Sequence, residues 1–273
     1  MRFFRLKKYQ YCIILAGFLL FIYAFIEPYW IQIKVTEKTD NQIPNSFKGL
    51  KIAYVSDIHH TKSFSRARVK SLVEKVNSLN PDIILLGGDY VNKSPIYIEP
   101  CFEELKNLNA PMGKFGVLGN HDHWESAELT RTCMEKAGII ELDNKSQWIY
   151  RNGERIKIGG VGDYWEDNQV IDNTIDDVKE SDFVILLSHN PDYAENLQTN
   201  KVDLMLCGHT HGGQVTLFGL WAPFVPSKYK QKYRTGLVKT EHTEVLISNG
   251  AGTSGFLPVR FFARPQINII ELK

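Results

Sequence analysis

Two histidines stand one residue apart in "CGHTHGG" (Cys207 to Gly213), directly after the apolar run "VDLML" (Val202 to Leu206). The same arrangement recurs along the chain. "LKIAYVS" ends in Asp57-Ile-His59, "DIILLGG" in Asp89, "FGVLG" in Asn120-His121-Asp122, and "FVILLS" in His189. One histidine after a strand is ordinarily a satisfied turn residue. Turn physics favours Gly, Asn and Asp for backbone reasons, but it does not call for imidazole at several strand ends at once. Divalent metal does. Neutral imidazoles and carboxylates suit borderline divalent ions, and the lack of thiolates in these motifs argues against a structural zinc site. The candidate donors exceed what one tetrahedral ion needs. They suit two ions roughly 3.5–4 Å apart sharing a carboxylate, the arrangement used for in-line displacement at phosphorus.

The elements that must position these residues can be read from the same runs. Short continuous stretches of Val, Ile and Leu read as strands buried on both faces. Amphipathic segments lie between several of them. In "SRARVKSLVEKVNSLN", Val69, Leu72, Val73, Val76 and Leu79 keep helical spacing, and "SAELTRTCMEKAG" ends in a glycine suited to a C-cap. Strands alternating with helices imply an α/β sheet with its ligands at the carboxyl ends of the strands. "WIYRNGERIKIGGVG" has the look of a hairpin around Asn152-Gly153, and "TEVLISNG" and "QINIIEL" read as further strands. The expected fold is two mixed sheets facing each other with helices outside. The glycines flanking the motifs are expected to allow sharp turns and close approach of a phosphate.

The N-terminus carries Arg2, Arg5, Lys7 and Lys8, and then no charge through "YCIILAGFLLFIYAFI", residues 11 to 26. The uncharged stretch from Tyr9 to Ile26 is about the minimum length of a spanning helix, and Tyr29 and Trp30 follow where an interface favours aromatics. A cleavable signal would have a shorter core and small residues at its end. An uncleaved anchor is therefore expected. The positive-inside rule sets its N-terminus in the cytoplasm and favours an extracytoplasmic catalytic domain, with the cytoplasmic face as the other placement. The division is anchor 1–30, a short strand or polar linker over 31–47, and a main domain over 48–273. A formal net charge of +1 gives no reason to expect nucleic acid as partner. The four cysteines show no metal-binding spacing, and a Cys101–Cys133 disulfide is left open.

Taken in order and separation, "DIH", "GGDY", "GNHD", "SHNPD" and "GHTHGG" resemble the calcineurin-like metallophosphoesterase superfamily, over residues 48 to 273. The anchor and "DLMLCGHTHGGQ" are similar to its bacterial membrane-associated branch, which includes phosphodiesterases and a UDP-2,3-diacylglucosamine pyrophosphatase of lipid A synthesis. The resemblance implies a four-layer α/β/β/α sandwich. It implies Asp57, His59 and His211 around one ion, Asn120, His189 and His209 around the other, and Asp89 bridging both. The ions would be Mn, Fe, Zn or Co, with Mn favoured. His121 would protonate the leaving oxygen, oriented by Asp122. A water-derived nucleophile activated between the ions would attack phosphorus in a phosphodiester or pyrophosphate, with a lipid-linked or envelope substrate expected.

Two alternatives stay open: a nucleotide-lipid pyrophosphatase at the cytoplasmic face, and a metal-containing scaffold without catalysis, against which His121 speaks. His60 and His123 read as exposed neighbours of the motifs, His242 as surface, and Trp148, Tyr164 and Trp165 as packing residues. The segment "LFGLWAPFVPSKYKQKYR", residues 217 to 234, mixes Leu, Phe and Trp with four basic residues around two prolines. It reads as a loop facing either a bilayer and a lipid substrate or the packed interior of the protein.

Overall fold

The computed structural model describes residues 7–273, so Arg2 and Arg5 lie outside the described residues. The chain opens with helix α1 (Lys8–Ile26), followed by strands β1 (Gln32–Lys38) and β2 (Lys51–Val55). Next come α2 (Arg66–Ser78), β3 (Ile83–Leu86), α3 (Ile98–Leu105), β4 (Lys114–Gly116), α4 (Asn120–Lys136) and β5 (Ile140–Glu141). The second half holds β6 (Ser146–Arg151), β7 (Glu154–Gly160), α5 (Asp172–Ile175), β8 (Val184–Leu187) and β9 (Leu204–Cys207). It ends with β10 (Gly236–Lys239), β11 (Glu244–Ile247) and β12 (Gln266–Leu272).

These strands form two six-stranded sheets, ordered β1-β12-β2-β3-β4-β5 and β10-β11-β9-β8-β7-β6. Both are mixed: β2 to β5 run parallel, as do β7, β8, β9 and β11, while β12 joins β2, β6 joins β7 and β10 joins β11 antiparallel. Strand alternation explains how the sheets stack. Ile52 and Tyr54 of β2 face Ile185 and Leu187 of β8 in a core between the sheets. Ala53 and Val55 point the other way, onto apolar residues of α2 and α3. The outer cover of the second sheet is thinner, built from Val178, Tyr193, Ala194, Leu197 and Tyr233 in short turns. Its connections hold only a short helix and turns, and Pro191 starts one of those turns.

The hairpin forms at Asn152-Gly153, both with positive φ, and Gly138 follows α4 at φ +67° as a C-cap glycine. Of the two readings for residues 31–47, the structure has the strand: β1 pairs parallel with β12, and Ile43 and Phe47 enter the core between the sheets. Cys101 and Cys133 are free thiols. Helix α1 is the one helix among the described residues long and apolar enough to cross a membrane. It has no buried residue of its own, and Tyr23 and Ala24 are half-covered where it meets the domain.

Candidate metal centre

The parallel strands of both sheets end at one rim, and there the sequence-predicted donors meet. Asp57 and His59 follow β2, Asp89 follows β3, Asn120 begins α4 after β4, His189 follows β8, and His209 and His211 follow β9. In one cluster, donor atoms of Asp57, His59 and His211 all lie within 4.8 Å of one another. His59 Nε2 and His211 Nε2 are 3.0 Å apart, and Asp57 Oδ1 is 3.4 Å from the latter. Burial pushes His59 down to about 3 and holds His211 well below the usual histidine range, the latter with help from His59 and Arg260. Both rings are therefore neutral. Asp57 is raised to about 6, chiefly by burial.

Asp89, His189 and His209 form the neighbouring cluster. The His189 Nδ1–H donates to the Gly87 carbonyl at 2.7 Å, which aims Nε2 at Asp89 Oδ2 (3.3 Å) and His209 Nδ1 (3.3 Å). A ring nitrogen tied to a backbone carbonyl is the usual way a ligating imidazole is oriented. Asn120 Oδ1 is 3.0 Å from His209 Nδ1, beside the same point. Asp89 stands between the clusters, its Oδ2 3.5 Å from His59 Nε2 and 3.3 Å from His189 Nε2. Burial alone would lower His189, but the charges of Asp89, Asp57 and Asp163 outweigh it and raise the ring well above its ordinary value. Burial opposes ionisation of Asp89, but the cation on His189 holds its carboxyl low. This buried donor set is two carboxylates, two imidazoles at each point of convergence and an amide oxygen, which suits two divalent ions.

The backbone carries strain at this rim. Asp57, His59, Asp89, His209 and His211 all have φ between +49° and +66°. Such conformations cost roughly 1–3 kcal/mol each for residues other than glycine. The glycines serve the ligands themselves, not only a substrate: a Cβ on Gly208 would lie 2.2 Å from Asp57 Oδ2, and one on Gly119 2.3 Å from Asp89 Oδ1.

His121 lies at the mouth, half-buried, its ring edge against His59 (4.8 Å between centroids) and Trp124 (4.5 Å). Its Nδ1 is buried without a partner among the described residues. The expectation that Asp122 orients this ring is corrected: Asp122 accepts from the amides of Asp89 (2.7 Å), Tyr90 (2.9 Å) and Gly119 (2.9 Å). Both its oxygens are occupied in holding the Asp89 turn, and ring contacts set His121 instead.

The neighbours also differ from expectation. His60 is buried, with Nδ1 2.9 Å from the Tyr97 carbonyl, because it bridges to Val91 and turns inward. Trp165 is not a packing residue but stands perpendicular to the His209 ring, 4.3 Å between centroids, at the cavity. Trp148 does pack, under the Arg155 guanidinium, and donates to Asp177. Tyr164 stacks beneath Lys228, and His242 is half-buried beside Asn200. His123 is half-buried by Asp143 and Asp167, where Arg131 already supplies the cation to both carboxylates.

A cavity of about 640 Å³ opens over the clusters, walled by Trp124, Trp165, Phe224, Pro226 and Phe256 with Lys93 at its edge. Sequence reading missed Trp124 and Phe256 and took Trp165 for packing; Trp124 stands near the start of α4, while Trp165 and Phe256 reach the site on loops. The 217–234 loop is divided. Ala222, Val225 and Tyr233 are buried, while Leu217, Phe218, Leu220, Trp221 and Phe224 are exposed. Its cations are largely engaged: Lys232 with Glu195, Arg234 with the carbonyls of Gly212 and Gly219.

The sequence profile of the calcineurin-like phosphoesterases matches residues 50–213. The chain is 32% identical over 255 residues to the metallophosphoesterase YkuE of Bacillus subtilis, covering 91% of this chain and 88% of that one. It is 28% identical over 258 residues to the phosphodiesterase YaeI of Escherichia coli, covering 91% and 90%. Among solved structures, the NAD nucleotidase NadN of Haemophilus influenzae superposes with a TM-score of 0.50 at 16% identity. That match covers 74% of this chain but only half of the nucleotidase, and it speaks for the fold alone.

Proposed function

We propose, from the premise that this chain belongs to the calcineurin-like phosphoesterase family, that it is a membrane-anchored hydrolase of phosphodiester or pyrophosphate bonds. The observation that carries the two-metal reading is the placement of Asp89, whose Oδ2 lies within 3.5 Å of His59 Nε2 and of His189 Nε2. Asp57, His59 and His211 would hold one ion, Asn120, His189 and His209 the other, with Asp89 shared. Two ions so held would lower the pKa of water and offset charge on the phosphate oxygens. The chain's own residues do the rest. His121, beside the cluster with an unpartnered Nδ1, donates a proton to the leaving oxygen. Asp122 holds the Asp89 and Tyr90 amides, and Trp124 and Trp165 exclude water around the two histidines they abut.

The substrate we infer is lipid-linked. Tyr23 of α1 meets Phe262 (5.3 Å between centroids), and Phe262 meets Phe218 (5.2 Å). From Phe218 exposed apolar side chains continue through Leu220 and Trp221 to Phe224 at the cavity wall. An apolar belt from anchor to cavity fits a substrate whose chains stay in the bilayer while its phosphate reaches the metals. Bound Lys and Arg in the loop leave mainly the apolar contact to do this. The basic residues ahead of α1 favour an extracytoplasmic domain. Asp89→Asn tests the centre: both ions and hydrolysis should be lost together, since the shared carboxylate is the only charge common to both clusters. Metal analysis finding two ions at full occupancy with normal turnover would refute the bridging role.

A further inference from the structure

We propose that Arg260 is a positioning residue through which the end of the membrane anchor sets His211, so that the anchor is a structural part of the metal site. This rests on the reading that His211 holds metal. Arg260 is fully buried and, among the described residues, has no carboxylate within hydrogen-bond reach. Its guanidinium donates instead to the carbonyls of His211 (3.0 Å), Ala263 (2.7 Å), Asn249 (2.6 Å) and Gly252 (2.6 Å). Nη2 lies 3.4 Å from His211 Nδ1. A planar fork with five donors can tie three loops at once in this way, which an ammonium cannot. His211 needs such a tie, because its φ of +53° is held against its own preference.

The same segment is fastened to the anchor. The Arg260 backbone N–H donates to the carbonyl of Ala24, 3.0 Å away in the last turn of α1. The final carbonyls of a helix have no partner within it, so this bond caps α1 with the residue that holds the metal loop. Two residues on, the Phe262 amide donates to buried Glu27 at 2.7 Å, and Arg264 donates to the Trp30 carbonyl at 3.0 Å. On its other side Phe261 exchanges backbone bonds with Gln214 and Thr216, just past His211. Residues 260–264 are thus clamped between the anchor's end and the metal loop. A tether whose only task was to hold the domain at a membrane would need none of these bonds.

The test uses the full chain in lipid nanodiscs, titrated with Co(II) and followed by calorimetry and by visible absorption, with Arg260→Lys, Glu27→Leu and His211→Ala compared to wild type. Groups that orient a ligating histidine typically matter 10–100-fold for metal affinity. One Co(II) step should weaken by about that factor in Arg260→Lys and Glu27→Leu, the same step that His211→Ala removes, with its absorption band altered and the other step unchanged. Should Arg260→Lys fail to fold, Glu27→Leu decides alone, since Glu27 touches no predicted ligand. Unchanged steps in both variants overturn the proposal, as does equal weakening of both steps with a lowered melting temperature, which marks a general loss of stability. A wild-type chain taking up a single Co(II), or His211→Ala keeping both steps, strikes the two-metal reading itself.

Discussion

Replacing Leu220 and Phe224 with serine isolates the apolar belt from the chemistry. Leu220 is 83% exposed and Phe224 72%, so little of either side chain contributes to folding. Burying a whole Leu or Phe side chain is worth about 1.5–3 kcal/mol, so the covered parts amount to about 1 kcal/mol in total. For a chain of this size that lowers the melting temperature by only about 2–4 °C. The exposed parts could gain roughly 2–5 kcal/mol on full immersion in lipid, and about half of that at an interface. Converted at 1.4 kcal/mol per decade, the double variant should lose roughly 10–50-fold in kcat/KM on a membrane substrate. The assay compares two nitrophenyl phosphodiesters, one of diacylglycerol in vesicles and one soluble, in the full chain. Both release nitrophenolate, so chemistry at phosphorus is matched and only the acyl chains differ. Turnover of the soluble diester should stay within about twofold, because Ala222 and Val225, which pack the loop's stem, are untouched. Equal losses on the two substrates, with a drop in melting temperature well beyond the range above, would show that the loop serves packing and refute the membrane reasoning.

His121→Ala should keep both metals and lose about 10²–10⁴-fold with alkoxide leaving groups, but much less with nitrophenolate, which departs without a proton; equal losses in steady-state kinetics would remove His121 as the acid. Metal uptake should release protons unequally. The raised His189 must give up a proton on binding at neutral pH, whereas Asp57, raised to about 6, adds a competing proton only below that pH, and His59, pushed down to about 3, adds none. Calorimetry in buffers of different ionisation enthalpy should therefore find proton release at pH 7 in one of the two binding steps only, and a second release below pH 6. A reporter fused after Lys273 should be active on the extracytoplasmic side of the membrane; activity confined to the cytoplasm would reverse the proposed orientation.

Residues that end buried strands were legible because a polar side chain after a Val-Ile-Leu run has few reasons to be there, and both sheets bring those ends to one rim. Asp57, His59, Asp89, Asn120, His189, His209 and His211 all arrive at it. Partners were not legible. Asp122 sits next to His121 in the chain, yet its side chain turns back onto three amides, and adjacency in sequence says nothing about that. His60 is buried because a bridge to Val91 turns its side chain inward, a pairing between distant residues. The β1–β12 pairing joins the two ends of the chain and leaves no local signature. Nothing in "LPVRFFARP" marks Arg260; only the meeting of three loops makes it a buried hub.

The backbone bears on whether these histidines do more than turn the chain. A turn that needs positive φ is made at least cost by glycine, with Asn and Asp as the tolerated substitutes. At this rim three histidines and two aspartates occupy such positions, and glycines stand directly beside several of them, as Gly88 does at Asp89 and Gly208 at His209. Were reversal of direction the only requirement, glycine at the strained positions would satisfy it and relieve roughly 1–3 kcal/mol at each. What glycine cannot supply is the convergence of side chains. The left-handed turns at Asp57 and His59, and again at His209 and His211, bring donors from successive residues of a tight loop toward shared points. The strain is sustained by bonds such as the amide of Asp57 to the Gly88 carbonyl and that of His59 to the Asp89 carbonyl. The conformation is costly for a turn and suited to a ligand set, and that difference favours metal as the reason for the two histidines in "CGHTHGG".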